Sequence, residues 1–228
     1  MNDKNYNYSN ITLENVKSNP IVNTFIKAAN EYLGTIGYTE HGLRHVGLVA
    51  AIAENVLLHL DYPKRLQDLA GIAGYLHDIG NVVNRQSHGQ SAALIAMRIL
   101  KDMGMTSDEI ALIISAIGNH EEEIGDPVNP VAAALILADK SDVHKTRVRS
   151  PEVTADDIHD RVNLAAERSF LKVLKDKKII SLQLTIDTQK SKVMEYFEIF
   201  MSRMLMCRRA ANFLGCNFEL IINERKLL

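Results

Sequence analysis

The chain has 228 residues and a mass of 25.5 kDa, which at about 100–200 residues per domain means one large domain, or one with an appendage. Its 46% hydrophobic and 24% charged residues form an ordinary globular mixture and exclude a disordered, collagenous or low-complexity chain. Lys and Arg number 26 against 28 Asp and Glu, a net charge of −2, so bulk charge offers nothing to nucleic acid and none is expected as a partner.

Cys207 and Cys216 are too few for a disulfide framework or a zinc knuckle and read as reduced thiols of a cytoplasmic protein. No apolar run approaches the ~20 residues of a membrane span. The polar, Asn-rich stretch Met1 to Ser18 lacks the basic-then-apolar order of a secretory signal. Neither a membrane nor export is expected.

Up to about residue 165 the pattern is helical. Pro20 suits a first helical turn, and Ile21, Val22, Phe25, Ile26, Ala29 and Leu33 recur at helical spacing before Gly34. A second helix spans about Leu43 to Leu60, with Val46, Val49, Ala50, Ala53, Val56 and Leu57 inward. Pro63 opens a third, ending near Asp78-Ile79-Gly80. Ser87 with Gln90, and Thr106 with Glu109, suggest capping boxes for the fourth and fifth helices. The fourth runs to Met103; in the fifth, Ile110, Ile113, Ile114 and Ile117 share a face. After the loop marked by Gly125, Asp126, Pro127 and Pro130, Val131 to Lys140 is apolar nearly all round and therefore central.

The character then changes. Ile180, Leu182, Leu184 and Ile186 alternate with Ser181, Gln183, Thr185 and Asp187, the period of a half-buried strand. Phe170 to Leu174, across the turn Lys175 to Lys178, reads as its hairpin partner. Lys190 to Leu214 reads as a long amphipathic helix through Val193, Phe197, Phe200, Met204 and Ala211, with Gly215 beyond its end, and Phe218 to Asn223 as a third strand. The expected architecture is mostly α: a helical domain over 1–165, then a small α+β unit over 166–228 of antiparallel strands and one long helix. The Met-rich helix (Met194, Met201, Met204, Met206) is taken as core.

Of eight histidines, several stand in unusual company. His45 lies inside the apolar second helix, His77 ends the third next to Asp78, and His120 follows the fifth. Asp139 interrupts the apolar run Val131 to Ala138. A carboxylate buried there needs a strong partner, since a bare buried charge costs several kcal/mol or more. A cation held by imidazoles would serve. Imidazole with carboxylate suits Fe, Mn, Zn or Ni rather than Ca, which prefers oxygen.

The strings Gly42-Leu43-Arg44-His45, Gly74-Tyr75-Leu76-His77-Asp78-Ile79-Gly80 and Ile136-Leu137-Ala138-Asp139-Lys140 resemble the HD superfamily of metal-dependent phosphohydrolases over about residues 40–150. With His88 and His120 included, the resemblance is closest to the subset with His, His-Asp, His, His and Asp. It implies a helical domain holding one or two divalent ions. His45, His77, Asp78 and Asp139 would hold the first, and Asp78, His88 and His120 the second. It further implies hydrolysis of a small phosphorylated substrate, of the nucleotide kind, by a metal-activated water, with His77 and Asp78 catalytic. The pattern looks most like the branch that hydrolyses dinucleoside polyphosphates.

Arg44, Arg85, Lys140 and Arg147 are the substrate-binding candidates, with Lys145 and Arg149 also basic and close in sequence; guanidinium suits phosphate. Many relatives carry Lys where this chain has Asn81. His41 could touch substrate or simply be exposed, whereas Glu121, Glu122 and Glu123 read as exposed carboxylates. Two other readings stay open: a di-iron oxygenase of the same superfamily, which uses the same ligands, and a non-catalytic, metal-stabilised binding module. A homodimer is possible, but no feature fixes the oligomeric state.

Overall fold

In a computed structural model of the chain, residues 9–122, 124–149 and 158–227 are described. Among them are helices α1 (Leu13–Lys17), α2 (Pro20–Thr35), α3 (Leu43–His59), α4 (Lys64–Leu76), α5 (His88–Asp102), α6 (Ser107–Gly118) and α7 (Pro130–Ser141). After them come α8 (Ile158–Ala165), β1 (Ala166–Leu174), β2 (Ile179–Ile186), α9 (Val193–Phe213), β3 (Asn217–Ile222) and β4 (Arg225–Lys226). The chain is thus mostly helical with a small sheet at its end. The Asn-rich start, residues 1–8, lies outside the described residues.

Helices α2 and α7 begin alike. Asn19 and Asn129 accept hydrogen bonds from amides of the first turn, and Pro20 and Pro130 occupy a position where no N–H is needed. Every residue of α7 from Val131 to Ala138 is fully buried, because the helix is covered by α3, α4 and α6 on one side and by α9 and β1 on another.

Two glycines allow the crossings on which the site depends. A Cβ on Gly74 of α4 would stand 2.8 Å from the Ala50 Cα of α3. A Cβ on Gly80 would overlap the His88 carbonyl at the start of α5. The first contact draws His45 and His77 together; the second draws Asp78 and His88 together.

Neither expected capping box forms. Ser87 is left-handed (φ 56°) with no side-chain bond to the helix start, and Gln90 instead donates to the Gly118 carbonyl at 2.9 Å. The Thr106 hydroxyl donates to Glu109 itself at 3.1 Å. The buried Glu109 carboxylate is already engaged by Arg65 and the Ser9 amide.

The sheet order is β1-β2-β3-β4. The β1–β2 hairpin forms where the alternation placed it, but β1 begins at Ala166 and carries a register shift between Ala166 and Arg168. Strand β3 runs parallel to β2, so the pair is not the antiparallel one expected. Helix α9 is the crossover that returns the chain to the same end of the sheet, as a parallel pair requires. It starts at Val193 rather than Lys190, because Lys190 and Ser191 first turn back onto the Asp187 carbonyl. Helices α1 and α8 and strand β4 had no periodic signal, being 5, 8 and 2 residues long.

Candidate metal centre

Five helices and one turn deliver the site. His45 is on the inner face of α3, one turn before Val49. His77 directly follows α4, and Asp78 opens the short 3-10 turn Ile79–Val82. His88 is the first residue of α5, His120 lies just past α6, and Asp139 is in the last turn of α7. The four histidines and Asp78 are buried, and the Asp139 side chain is 12% exposed. Ligand atoms converge in three overlapping triads, each within 4.8 Å: His45, His77 and Asp78; His77, His120 and Asp139; Asp78, His88 and His120. The six residues singled out in the sequence therefore meet.

Each imidazole is oriented from behind. The Nδ1 of His77 bonds to the Gly74 carbonyl at 2.8 Å, that of His120 to Ile117 at 2.6 Å and that of His88 to Arg85 at 3.1 Å. His45 Nδ1 bonds to Asp142 Oδ2 at 2.7 Å. Carbonyl and carboxylate oxygens only accept, so every Nδ1 carries a proton and every Nε2 faces the centre, that of His88 also lying 3.4 Å from Arg85 Nη1.

There, Nε2 of His45 faces Nε2 of His77 at 3.3 Å, and Nε2 of His88 faces that of His120 at 3.2 Å. Neutral imidazoles would oppose lone pairs at such distances. Asp78 Oδ2 is buried without a hydrogen-bond partner, although His77 and His45 Nε2 lie 3.3 and 3.4 Å away. Leaving such an oxygen unsatisfied costs about 1–3 kcal/mol, and more when it is charged. Facing lone pairs and an orphaned carboxylate oxygen are what a bound cation resolves, and the donor set suits a transition metal.

Electrostatics agree. Burial alone would lower His77, but the neighbouring charges of Asp78 and Asp139 raise it to about 10. Burial and Arg147 would lower His45, yet its bonds to Asp139, Asp142 and Asp78 raise it. His120 is pushed well below the usual range by burial and by the charges of His77 and His88. Asp78 and Asp139 are held well below the carboxylate range: burial opposes this, but His77 lowers the first and Lys140 with the imidazoles lowers the second. The carboxylates thus favour positive charge on the His45 and His77 side of the cluster, which is the charge a divalent ion would bring.

The cluster opens into a pocket of about 940 Å³ lined by His41, Arg85, Lys140 and Arg147 among others. Arg85 Nη1 donates to Asn81 Oδ1 at 3.3 Å, and its guanidinium lies 5.3 Å from the Tyr38 ring centre. Lys140 Nζ is 2.7 Å from Asp139 Oδ2. Buried Arg147 is tied by Nε to the Glu40 carbonyl and by Nη1 to the Asp142 carbonyl. Asn81 donates to Asp78 Oδ1 at 3.0 Å and so fixes that carboxylate.

Arg44 does not line this pocket. Its guanidinium is held by Glu40 and Asp142, and it borders a separate groove between α3 and β1. Arg149 is engaged with the carbonyls of Asn30, Tyr38 and Thr39, and Lys145 is exposed. The glutamates after His120 are not solvated as expected. Glu121 accepts from the Gly89 amide at 2.6 Å and stands 3.5 Å from His88 Nδ1, and Glu122 accepts from Ser202 and Arg203 of α9. Glu123 lies outside the described residues.

Asp142 escaped the sequence reading. Its signal was an acid one helical turn past Asp139, hidden in the basic run after it.

Residues 42–144 match the family model of the HD domain. This segment is an HD domain. The uncharacterized protein MJ1020 of Methanocaldococcus jannaschii is 29% identical over 198 residues, covering 75% of this chain and 74% of its own length. HD domains are generally those of phosphohydrolases and bind divalent metals. The match ends at His144, so α8, the sheet and α9 fall outside it. No helix among the described residues is long and apolar enough to cross a membrane.

Proposed function

We propose that this HD protein hydrolyses a phosphoester or phosphoanhydride of a nucleotide or similar small phosphorylated molecule in the cytoplasm. The observation that carries this reading is the gathering of four inward Nε2 atoms around Asp78, one of whose oxygens has no hydrogen-bond partner, beside a pocket lined by Arg85, Lys140, Arg147 and Arg203. In this reading His45, His77, Asp78 and Asp139 hold one divalent ion, and Asp78, His88 and His120 a second. Fe, Mn, Zn and Ni all suit these donors. Bound there, the metal supplies hydroxide near neutral pH and neutralises phosphoryl oxygens.

The chain's own residues do the rest. Asp78 is shared between the two sites, fixed by Asn81 on one oxygen. Arg85 and Arg147 bind phosphoryl oxygens with guanidinium groups already oriented by their other hydrogen bonds, which lessens the ordering cost of recognition. Lys140, beside Asp139, places positive charge where the leaving oxygen gains negative charge. A pocket of about 940 Å³ is at the upper end of the usual range for small-molecule sites and has room for a nucleotide.

The test is elemental analysis of protein purified without chelator, with a phosphate-release screen over nucleotides and dinucleoside polyphosphates. Two transition-metal ions per chain with phosphate release are expected. Asp78→Ala should lose metal and activity together, while His41→Ala keeps its metal. Two irons with oxygen consumption and no phosphate release would replace this reading with the oxygenase, and absence of metal would overturn it.

A further inference from the structure

One wall of the pocket is not supplied by the HD segment. Ile199, Phe200, Ser202 and Arg203 of α9 line it. The Arg203 guanidinium lies 4.4 Å from the Phe200 ring centre, and its Nε donates to Glu122 Oε1 at 2.7 Å. Ser202 Oγ donates to the other oxygen of Glu122, also at 2.7 Å. Lys140 Nζ stands 3.6 Å from Glu122 Oε1 and 2.7 Å from Asp139 Oδ2. Asp139, Lys140, Glu122 and Arg203 therefore alternate in sign from the His/Asp cluster out to α9.

This arrangement orients a guanidinium without using it up. Among the described residues, Nε is the Arg203 nitrogen with a hydrogen-bond partner; the Nη groups remain for the pocket. Arg147 lines the same pocket. Its pKa is lowered first by burial and further by the Arg203 charge, so the two guanidiniums are within electrostatic reach. Carboxylates of Glu122, Asp139 and Asp160 line the pocket as well, and an anion placed between the two guanidiniums is attracted by both. A single phosphate over the cluster is already served by Arg85 and Arg147. Arg203 lies beyond Lys140 and Glu122, further along the pocket.

We propose that Arg203 binds a second anionic group of the substrate, so that the molecule hydrolysed here carries two linked phosphates, one over the His/Asp cluster and the next against α9. This rests on the phosphohydrolase reading of the cluster. Glu122 is the positioning residue that holds the guanidinium in place, and the C-terminal unit becomes the part of the chain that selects substrates.

The experiment is calorimetric binding of inorganic pyrophosphate and of orthophosphate to the full chain at saturating free Mn²⁺. Wild type should bind pyrophosphate more tightly. Arg203→Ala should lose about ten- to a hundredfold in pyrophosphate affinity, the scale of a hydrogen bond to a charged group, with orthophosphate unchanged. Arg203→Lys, which keeps the charge and the Glu122 partner but not the fork, should lose less. Ser202→Ala, which removes the other α9 bond to Glu122, should keep the preference.

Equal losses for both anions in Arg203→Ala, an unchanged pyrophosphate affinity, no preference in wild type, or a matching loss in Ser202→Ala would each overturn the assignment. Phosphate release is scored separately. Arg203-dependent pyrophosphate binding with no hydrolysis of any nucleotide would defeat the phosphohydrolase reading and leave the anion subsite standing.

Discussion

Asp142→Asn tests how the metal centre is built. Asp142 is buried, accepts from His45 Nδ1 at 2.7 Å and from Arg44 Nη2 at 2.9 Å, and has Arg147 Nε 3.9 Å away. The amide keeps the shape but exchanges one acceptor for a donor. Whichever way it turns, either His45 or a guanidinium confronts an N–H group. Outer partners of metal-binding histidines typically contribute about 10–100-fold to affinity, or about 1.4–2.7 kcal/mol at 1.36 kcal/mol per decade.

The expected result is Mn²⁺ affinity lowered by about that factor in a calorimetric titration, with metal-free stability down by about 1–3 kcal/mol in urea. Arg44→Gln serves as the control. It removes a half-exposed guanidinium while leaving the carboxylate–imidazole bond, so its affinity should stay near wild type. An Asp142→Asn protein that binds Mn²⁺ within about twofold of wild type would refute the idea that this bond orients His45.

Gly80→Ala should be destabilised by about 1–3 kcal/mol or more, because its Cβ overlaps the His88 carbonyl. Gly47→Ala in α3 meets nothing within 4 Å and should gain about 0.5–1 kcal/mol; urea titrations showing the same sign for both would contradict the packing described. His77, raised to about 10, contributes stability that is complete below the unfolded value near 6.5 and lost as pH rises toward 10. Metal-free protein should therefore weaken between pH 6 and 9 relative to Mn²⁺-loaded protein, whose imidazoles have already released those protons; identical urea midpoints across that range would count against it. Cys207, whose thiol burial pushes up to about 12, should resist aromatic disulfide reagents at pH 8 until the protein unfolds; rapid labelling of Cys207 in a native Cys216→Ser chain would show that α9 leaves α7.

The site was legible in the sequence wherever a polar residue broke an apolar pattern. His45 inside a buried helical face and Asp139 after eight consecutive buried residues are anomalies of that kind, and they carry their explanation with them. Asp142 was not legible in the same way, because an acid among Lys140, Lys145 and Arg147 looks like ordinary surface charge until the fold buries it. Local signals also misled where tertiary demands outweighed them. Ser87 has the residue type of a helix cap, yet its left-handed backbone suits the turn between Asp78 and His88, two residues that share a triad. Strand direction was hidden for another reason: alternation of two reports burial on one face and is silent on which way a strand runs.

Helix α7 explains why a helical metal domain and a small sheet occur in one chain. A helix apolar all round needs cover on every side, and α3, α4 and α6 cover only part of it; α9 and β1 cover more. The C-terminal turn of that same helix carries Asp139 and Lys140, and the chain leaves it through Asp142. The packing that buries α7 therefore also brings α9 alongside the His/Asp cluster, so that Ser202 and Arg203 meet Glu122. Loss of that packing would disturb the centre from two directions: at Asp139 through the helix itself, and at His120 through the glutamates that follow it.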